Sequence, residues 1–182
     1  VSSGLGTQYT ANGNNNSVSV DLPSGALPDG TSLDIYLLSD SSHAQSLISG
    51  SASFLVSLVV SWLATDGSVP TTTTGKPIVV TVTNPAIKAG ASIYQVMGGV
   101  AQYVGIATQD GSAQVSITDD PELVIAATVP NAPITASVTA GDTTALVTWS
   151  APTISGGSDV TGYLVTASTG QTCSTVLLTC TV

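Results

Sequence analysis

"SVSVDLPSGALPDGTSLDIYLL", residues 17–38, decides the fold class. Val18, Val20 and Leu22 alternate with Ser17, Ser19 and Asp21, and Leu33, Ile35 and Leu37 repeat the pattern after the loop. Period two is the signature of a strand with one face in a core and the other in water. Between the two runs, Pro23/Gly25 and Pro28/Gly30 bracket the small apolar pair Ala26-Leu27. Pro23 ends a strand, and Gly25 and Gly30 permit positive φ. Ala26-Leu27 is therefore expected to tuck as a plug under the end of a sandwich before Leu33 starts the next strand. A ligand pocket would add convergent polar or aromatic groups, and this loop offers only Ser24 and Asp29.

Outward from this stretch the same alternation recurs at Ile78, Val80 and Val82 and again at Val115 and Ile117. The apolar run "SFLVSLVVSWL" (53–63) is roughly half the length a membrane-spanning helix requires and reads as a strand buried on both faces. "ATDGS" (64–68) and "TQDGS" (108–112) carry Asp-Gly, a strong hairpin signal. Helix signals are nearly missing. Short strands at such spacing predict an all-β chain built as antiparallel β-sandwiches. "TVPNAPITA" (128–136) has linker chemistry, which divides the chain into two domains in tandem, 1–129 and 130–182.

Composition narrows the function. Of 182 residues 42% are hydrophobic but only 7% are charged, against roughly 25% in ordinary globular domains. Arginine is absent, Lys76 and Lys88 are the only lysines, and the net charge is −9. Phosphate recognition needs a basic patch, so nucleic acid is excluded as a partner. Docking on an anionic membrane is excluded likewise, and no membrane insertion is expected. Six residues separate Cys173 from Cys180, enough for a hairpin that brings the sulfurs together. A disulfide there implies export to an oxidising compartment, and a weakly charged, Thr-rich surface suits an extracellular location. A metal site at these cysteines would need further ligands, and the single histidine, His43, is far away in sequence. The sequence opens at Val1 without a leader and reads as a mature or excised segment.

The segment "PNAPITASVTAGDTTALVTWSAPTISGGSDVTGYLVTAS" (130–168) carries a leading Pro133, the strand "ALVTWSAP" with Trp149, and "GGSDVTGYLVTAS" with Tyr163, followed by the cysteine pair. It resembles the opening half of a fibronectin type III domain of the kind found in secreted bacterial proteins, actinobacterial in style. Ala145, Val147 and Trp149 share one face, and Tyr163 with Val165 can pack opposite, giving an aromatic-centred core. Trp149, Tyr163, Val147 and Val165 are the expected core of this unit. The pattern stops after about four strands, where roughly 90–100 residues make a sandwich of this type. The second domain is thus incomplete, and the missing strands are expected from polypeptide beyond Val182 or from a neighbouring chain. The first domain resembles a ZU5-type β-sandwich over about 14–126, through "SVSVDLPSGALPDGTSLDIYLL", "SLVVSW" and "KPIVVTVTN". Some members of that family cleave themselves, but no residues for that chemistry are identifiable in this sequence.

Candidate chemistry is sparse. His43 near Asp40 and several serines raises a hydrolase triad, yet no nucleophile elbow accompanies it, and a solvated loop histidine is expected. Asp119, Asp120 and Glu122, with Asp110, are the candidate calcium ligands; the alternative is a strand-entry turn in which aspartates cap local N–H groups. Apart from calcium no cofactor is expected. Lys76 or Lys88 with Asn84 raises an isopeptide cross-link, but Asn84 lies on the same strand run as Lys76, and two solvated lysines are the plainer expectation. "TTTT" (71–74) and Asn15-Asn16-Ser17 could carry sugar. Tyr9, Tyr94, Tyr103 and Trp62 could form a carbohydrate-stacking face, although Trp62, ending an apolar run, is expected in the core. The sequence thus predicts a non-catalytic extracellular module: a spacer, adhesin stalk or surface-assembly subunit. Its partners would be neighbouring sandwich modules or like chains, met along strand edges. The alternatives are a glycan-binding accessory module of a secreted polysaccharide-degrading enzyme and a phage or virion decoration domain.

Overall fold

The computed structural model describes residues 7–13, 15–38, 41–48, 52–73 and 75–182. The described chain is all-β apart from one short helix, and every strand pairing is antiparallel. In order come β1 (Thr7–Gly13), β2 (Asn16–Leu22), β3 (Ser32–Leu37), α1 (Ser41–Leu47), β4 (Ser53–Leu63), β5 (Ile78–Thr83), β6 (Ser92–Met97), β7 (Val100–Ile106), β8 (Ser112–Ile117) and β9 (Glu122–Ala127). They form a four-stranded sheet, β1-β2-β5-β8, and a five-stranded sheet, β3-β4-β9-β6-β7.

The two sheets bury one core between them. Val18, Val20, Ile78, Val80 and Ile117 from the first meet Leu58, Val60, Trp62, Leu123 and Ile125 from the second. Register explains the fit, since Val20 faces Val80 across β2 and β5, and Val80 faces Val115 across β5 and β8. Branched side chains in such rows pack well on a pleated surface. The corner at 23–31 behaves as its sequence indicates. Gly25 and Gly30 take φ of 69° and 82°, the Ala26 N–H donates to the Pro23 carbonyl at 3.0 Å, and Ala26 and Leu27 join the core.

Two expectations are corrected. The Asp-Gly turns do not join neighbouring strands: the first links β4 to β5 and the second β7 to β8, and each passes from one sheet to the other. The dipeptide sets the local turn, and tertiary packing sets which strands meet. The helix α1 is an addition to the expected pattern. Its Ala44, with Leu47 and Ile48, covers Val96, Val124 and Ala126 on the outer face of the five-stranded sheet. That cover is why β4 buries Val56, Ser57 and Leu58 in succession, on both of its faces.

Beyond β9 follow β10 (Ile134–Ala140), β11 (Ala145–Ser150), β12 (Tyr163–Thr166), β13 (Thr172–Thr175) and β14 (Thr179–Thr181). They form two small sheets, β10-β11-β14 and β12-β13. Trp149 of β11 meets Tyr163 of β12 edge-to-face with ring centroids 5.3 Å apart. The disulfide Cys173–Cys180, with Cα atoms 6.2 Å apart, ties β13 to β14 and so one small sheet to the other. Closing so short a loop stabilises by about 2.5 kcal/mol in the chain-entropy model. Reduction is therefore expected to lower unfolding free energy by about that amount, read by denaturant titration with and without reductant. An unchanged midpoint would contradict it.

Of the expected core positions, Trp62 and Trp149 are buried. Val147, Tyr163 and Val165 lie on the same inner layer but stay half-buried, because the two small sheets leave one side of that layer uncovered.

Candidate functional site

Three places on the molecule gather chemistry-bearing groups. The first lies under α1. The sequence holds a single histidine and a single glutamate, and they meet: His43 Nε2 stands 3.6 Å from one Glu122 carboxylate oxygen. The other oxygen accepts the Ser57 hydroxyl at 2.8 Å. This is serine, carboxylate and histidine in the wrong order for a hydrolase. A nucleophilic serine needs the imidazole as its base, with the carboxylate behind it. Here the carboxylate sits in the middle, and Ser57 is 1% exposed, out of reach of a substrate. The cluster fastens α1 to β4 and β9. Asp40, the other carboxylate considered beside His43, lies outside the described residues.

The expected calcium ligands are not brought together. Glu122 is occupied by Ser57 and His43, and Asp119 accepts the Thr118 hydroxyl at 3.0 Å. Asp110 is elsewhere, receiving the Ala89 N–H at 2.9 Å with Lys88 Nζ 3.6 Å away. Among the described residues no group of three or more His, Cys, Asp or Glu side chains is placed to hold a metal ion. The cause is strand geometry: Glu122 enters β9 and faces α1, while Asp119 and Asp120 remain in the preceding turn.

Both lysines have partners. Lys76 Nζ donates to the Ser24 carbonyl at 2.6 Å, and Asn84 Nδ2 donates to Asn16 Oδ1 at 2.6 Å, so neither is aimed at the other for a cross-link. Tyr94 and Tyr103 stack edge-to-face at 6.0 Å, with Tyr103 60% exposed. Tyr9 packs against the main core. The Trp62 indole is buried with its N–H on the Pro70 carbonyl at 2.6 Å.

The second place is a joint. The turn 84–91 is closed by Ile87 N–H to Asn84 O at 3.0 Å and held to the next turn by Gly111 N–H to Ile87 O at 2.8 Å. The loop 154–157 seats on it. Ser155 Oγ donates to Ala89 O at 3.0 Å, and Thr128 N–H donates to Gly156 O at 2.6 Å. Gly156 and Gly157, at φ of 72° and 80°, press so close that a Cβ on Gly157 would stand 2.6 Å from Ala91 Cα. Sequence reasoning saw the glycine pair as an ordinary loop; its adjacency in "ISGGS" is the only signal for this contact.

Asp110 supports that turn electrostatically. The Ala89 N–H first, and the Lys88 ammonium second, hold its carboxyl below the ordinary value of 3.8. A depressed carboxyl stabilises the fold above its unfolded pKa, and that support fades as pH falls through the lowered native value. The Ala89 amide resonance is therefore expected to titrate with a midpoint below 3.8 and to stay flat in Asp110→Ala. A midpoint at or above the ordinary value would contradict the geometry.

The third place is a cleft of about 680 Å³ between β11 and β12, lined by Trp149, Tyr163, Val147, Val165, Pro133 and Pro152, among others. Trp149 is 7% exposed, and its indole N–H has no hydrogen-bond partner among the described residues. A buried donor left unpaired costs about 1–3 kcal/mol, so the cleft holds an unmet demand for an acceptor. No family model, curated protein or solved structure matches this chain significantly.

Proposed function

We propose that this chain is a non-catalytic structural and interaction module of an extracellular or surface protein. It reads as a ZU5-like β-sandwich over 1–129 followed by a partial fibronectin type III-like unit over 130–182, acting as a spacer, stalk or assembly subunit. The observation that carries the reading is the joint. A flexible tether would need no close backbone contact, whereas Gly156 and Gly157 are seated on Ala91, Thr128 and Val129 with less room than a methyl group requires. A spacer that sets distance and direction needs such a seat. The disulfide and the nearly ion-free surface suit an oxidising exterior.

Rotational diffusion tests the reading. ¹⁵N relaxation is expected to give one correlation time for amides before and after residue 130, and two different times would overturn the spacer. In a pull-down on chitin and cellulose the protein is expected to stay in solution. Retention that Tyr103→Ala abolishes would favour the glycan-binding alternative instead.

A further inference from the structure

The cleft beside Trp149 is bordered by a strand with an open edge. Among the described residues β12 pairs with β13 alone. The hairpin begins with Ala167 N–H donating to Gln171 O at 2.8 Å, and Val165 faces Cys173 in its register. Antiparallel pairs alternate between bonded and non-bonded. Tyr163 and Val165 therefore spend their backbone groups on β13, and Leu164 and Thr166 direct theirs to the free edge. Leu164 and Thr166 also line the cleft, and the Leu164 side chain is 68% exposed. An edge of unpaired N–H and C=O groups is a template for another strand. The unpaired Trp149 indole N–H adds a donor in the same cleft, suited to a peptide carbonyl.

Charge selects the kind of strand. The only ionic side chain in the cleft lining is Asp159, and the whole chain carries −9. A second copy would bring like charge to the edge, whereas a neutral or basic segment would be drawn to it.

We infer that β12 captures an extended, neutral-to-basic peptide segment of a different polypeptide, with apolar residues at alternate positions, as an added strand, one of whose carbonyls accepts the Trp149 indole N–H. Main-chain bonds to Leu164 and Thr166 supply affinity, and the apolar cleft receives every second side chain. This deepens the module reading and rests on it only in taking the partner to be a polypeptide. Correlation times and glycan retention test that reading by separate readouts.

The test is an NMR titration of the whole chain with a nine-residue peptide of alternating threonine and valine flanked by lysines. The expected result is slowed exchange of the Leu164 and Thr166 amides and a downfield shift of the Trp149 indole proton. Proline is tolerated where an edge strand's N–H faces away from its ladder, so Leu164→Pro keeps the β13 pairing and is expected to weaken binding at least about tenfold, the loss of a main-chain bond and its neighbours. Trp149→Phe is expected to weaken it about fivefold, one neutral hydrogen bond. Should Leu164→Pro fail to fold, a peptide N-methylated at alternate residues replaces it and is expected to give no protection. Unchanged affinity for Leu164→Pro or for the N-methylated peptide would overturn the inference. So would Leu164 and Thr166 amides already protected in the free monomer, concentration-dependent dimers that bury them, or no response to the peptide at all.

Discussion

Replacing Gly157 by alanine is expected to destabilise the protein by about 2–5 kcal/mol, the sum of a left-handed backbone penalty of about 1–2 kcal/mol and an overpacking penalty of about 1–3 kcal/mol. Gly157 sits at φ of 80°, and an added Cβ would stand 2.6 Å from both Cα and Cβ of Ala91 and 2.9 Å from its nitrogen. These are backbone atoms and a methyl on a tightly held turn, with no flexible tip to swing aside. The one escape is for the loop to lift, which gives up the bonds Thr128 N–H to Gly156 O, Asn131 N–H to Ile154 O and Ser155 Oγ to Ala89 O. At about 1 kcal/mol each, lifting costs about as much as staying. Gly170→Ala is the matched control. Gly170 has φ of 94° and nothing within 4 Å of a Cβ, so it carries the backbone penalty alone. Denaturant unfolding of the two variants should differ by about 1–3 kcal/mol, the overpacking share. In Gly157→Ala the Ala91 and Thr128 amides should lose protection from exchange. Equal effects of the two substitutions would show that the close approach at Ala91 carries no energy.

Where the sequence was sufficient, the controlling physics was local. The corner at 23–31 follows from two prolines, two glycines with positive φ and a strict alternation on either side, all within one short stretch. Where it was insufficient, a distant element decided the outcome. Asp66-Gly67 and Asp110-Gly111 form tight turns, but the strands they leave belong to different sheets, which a dipeptide cannot encode. Helix α1 spans "SSHAQSL", with no acidic residue in its first turn and no basic one in its last. Its stability comes from Ala44 and Ile48 covering the sheet, a contact invisible in the sequence. The same holds for Glu122, legible as one of an acidic run but engaged instead by Ser57 and His43. At Trp149 alternation identified the inner face, yet nothing in the alternation tells how much of that face a neighbouring strand covers.

The two tryptophans differ in what surrounds them, and that difference has a large measurable consequence. Trp62 is 2% exposed in the main core, pairs with Leu33 across β3 and β4, and donates its indole N–H to the Pro70 carbonyl. Trp62→Ala is therefore expected to cost about 3–5 kcal/mol, the usual loss for emptying an aromatic site in a closed core. Trp62→Phe restores most of the volume but strands the Pro70 acceptor, for about 1–3 kcal/mol. Trp149 is nearly as buried, but its donor is already unpaired and its cleft is open on one side. Trp149→Phe removes an unsatisfied donor and loses no hydrogen bond, so its cost is expected to stay within about 1 kcal/mol, as for conservative apolar exchanges that keep shape. Thermal and denaturant unfolding of the two phenylalanine variants in parallel checks the contrast. A cost for Trp149→Phe equal to that for Trp62→Phe would mean the Trp149 indole N–H is satisfied in solution. In that case the demand for an acceptor in the cleft, and with it the case for an added strand, would disappear.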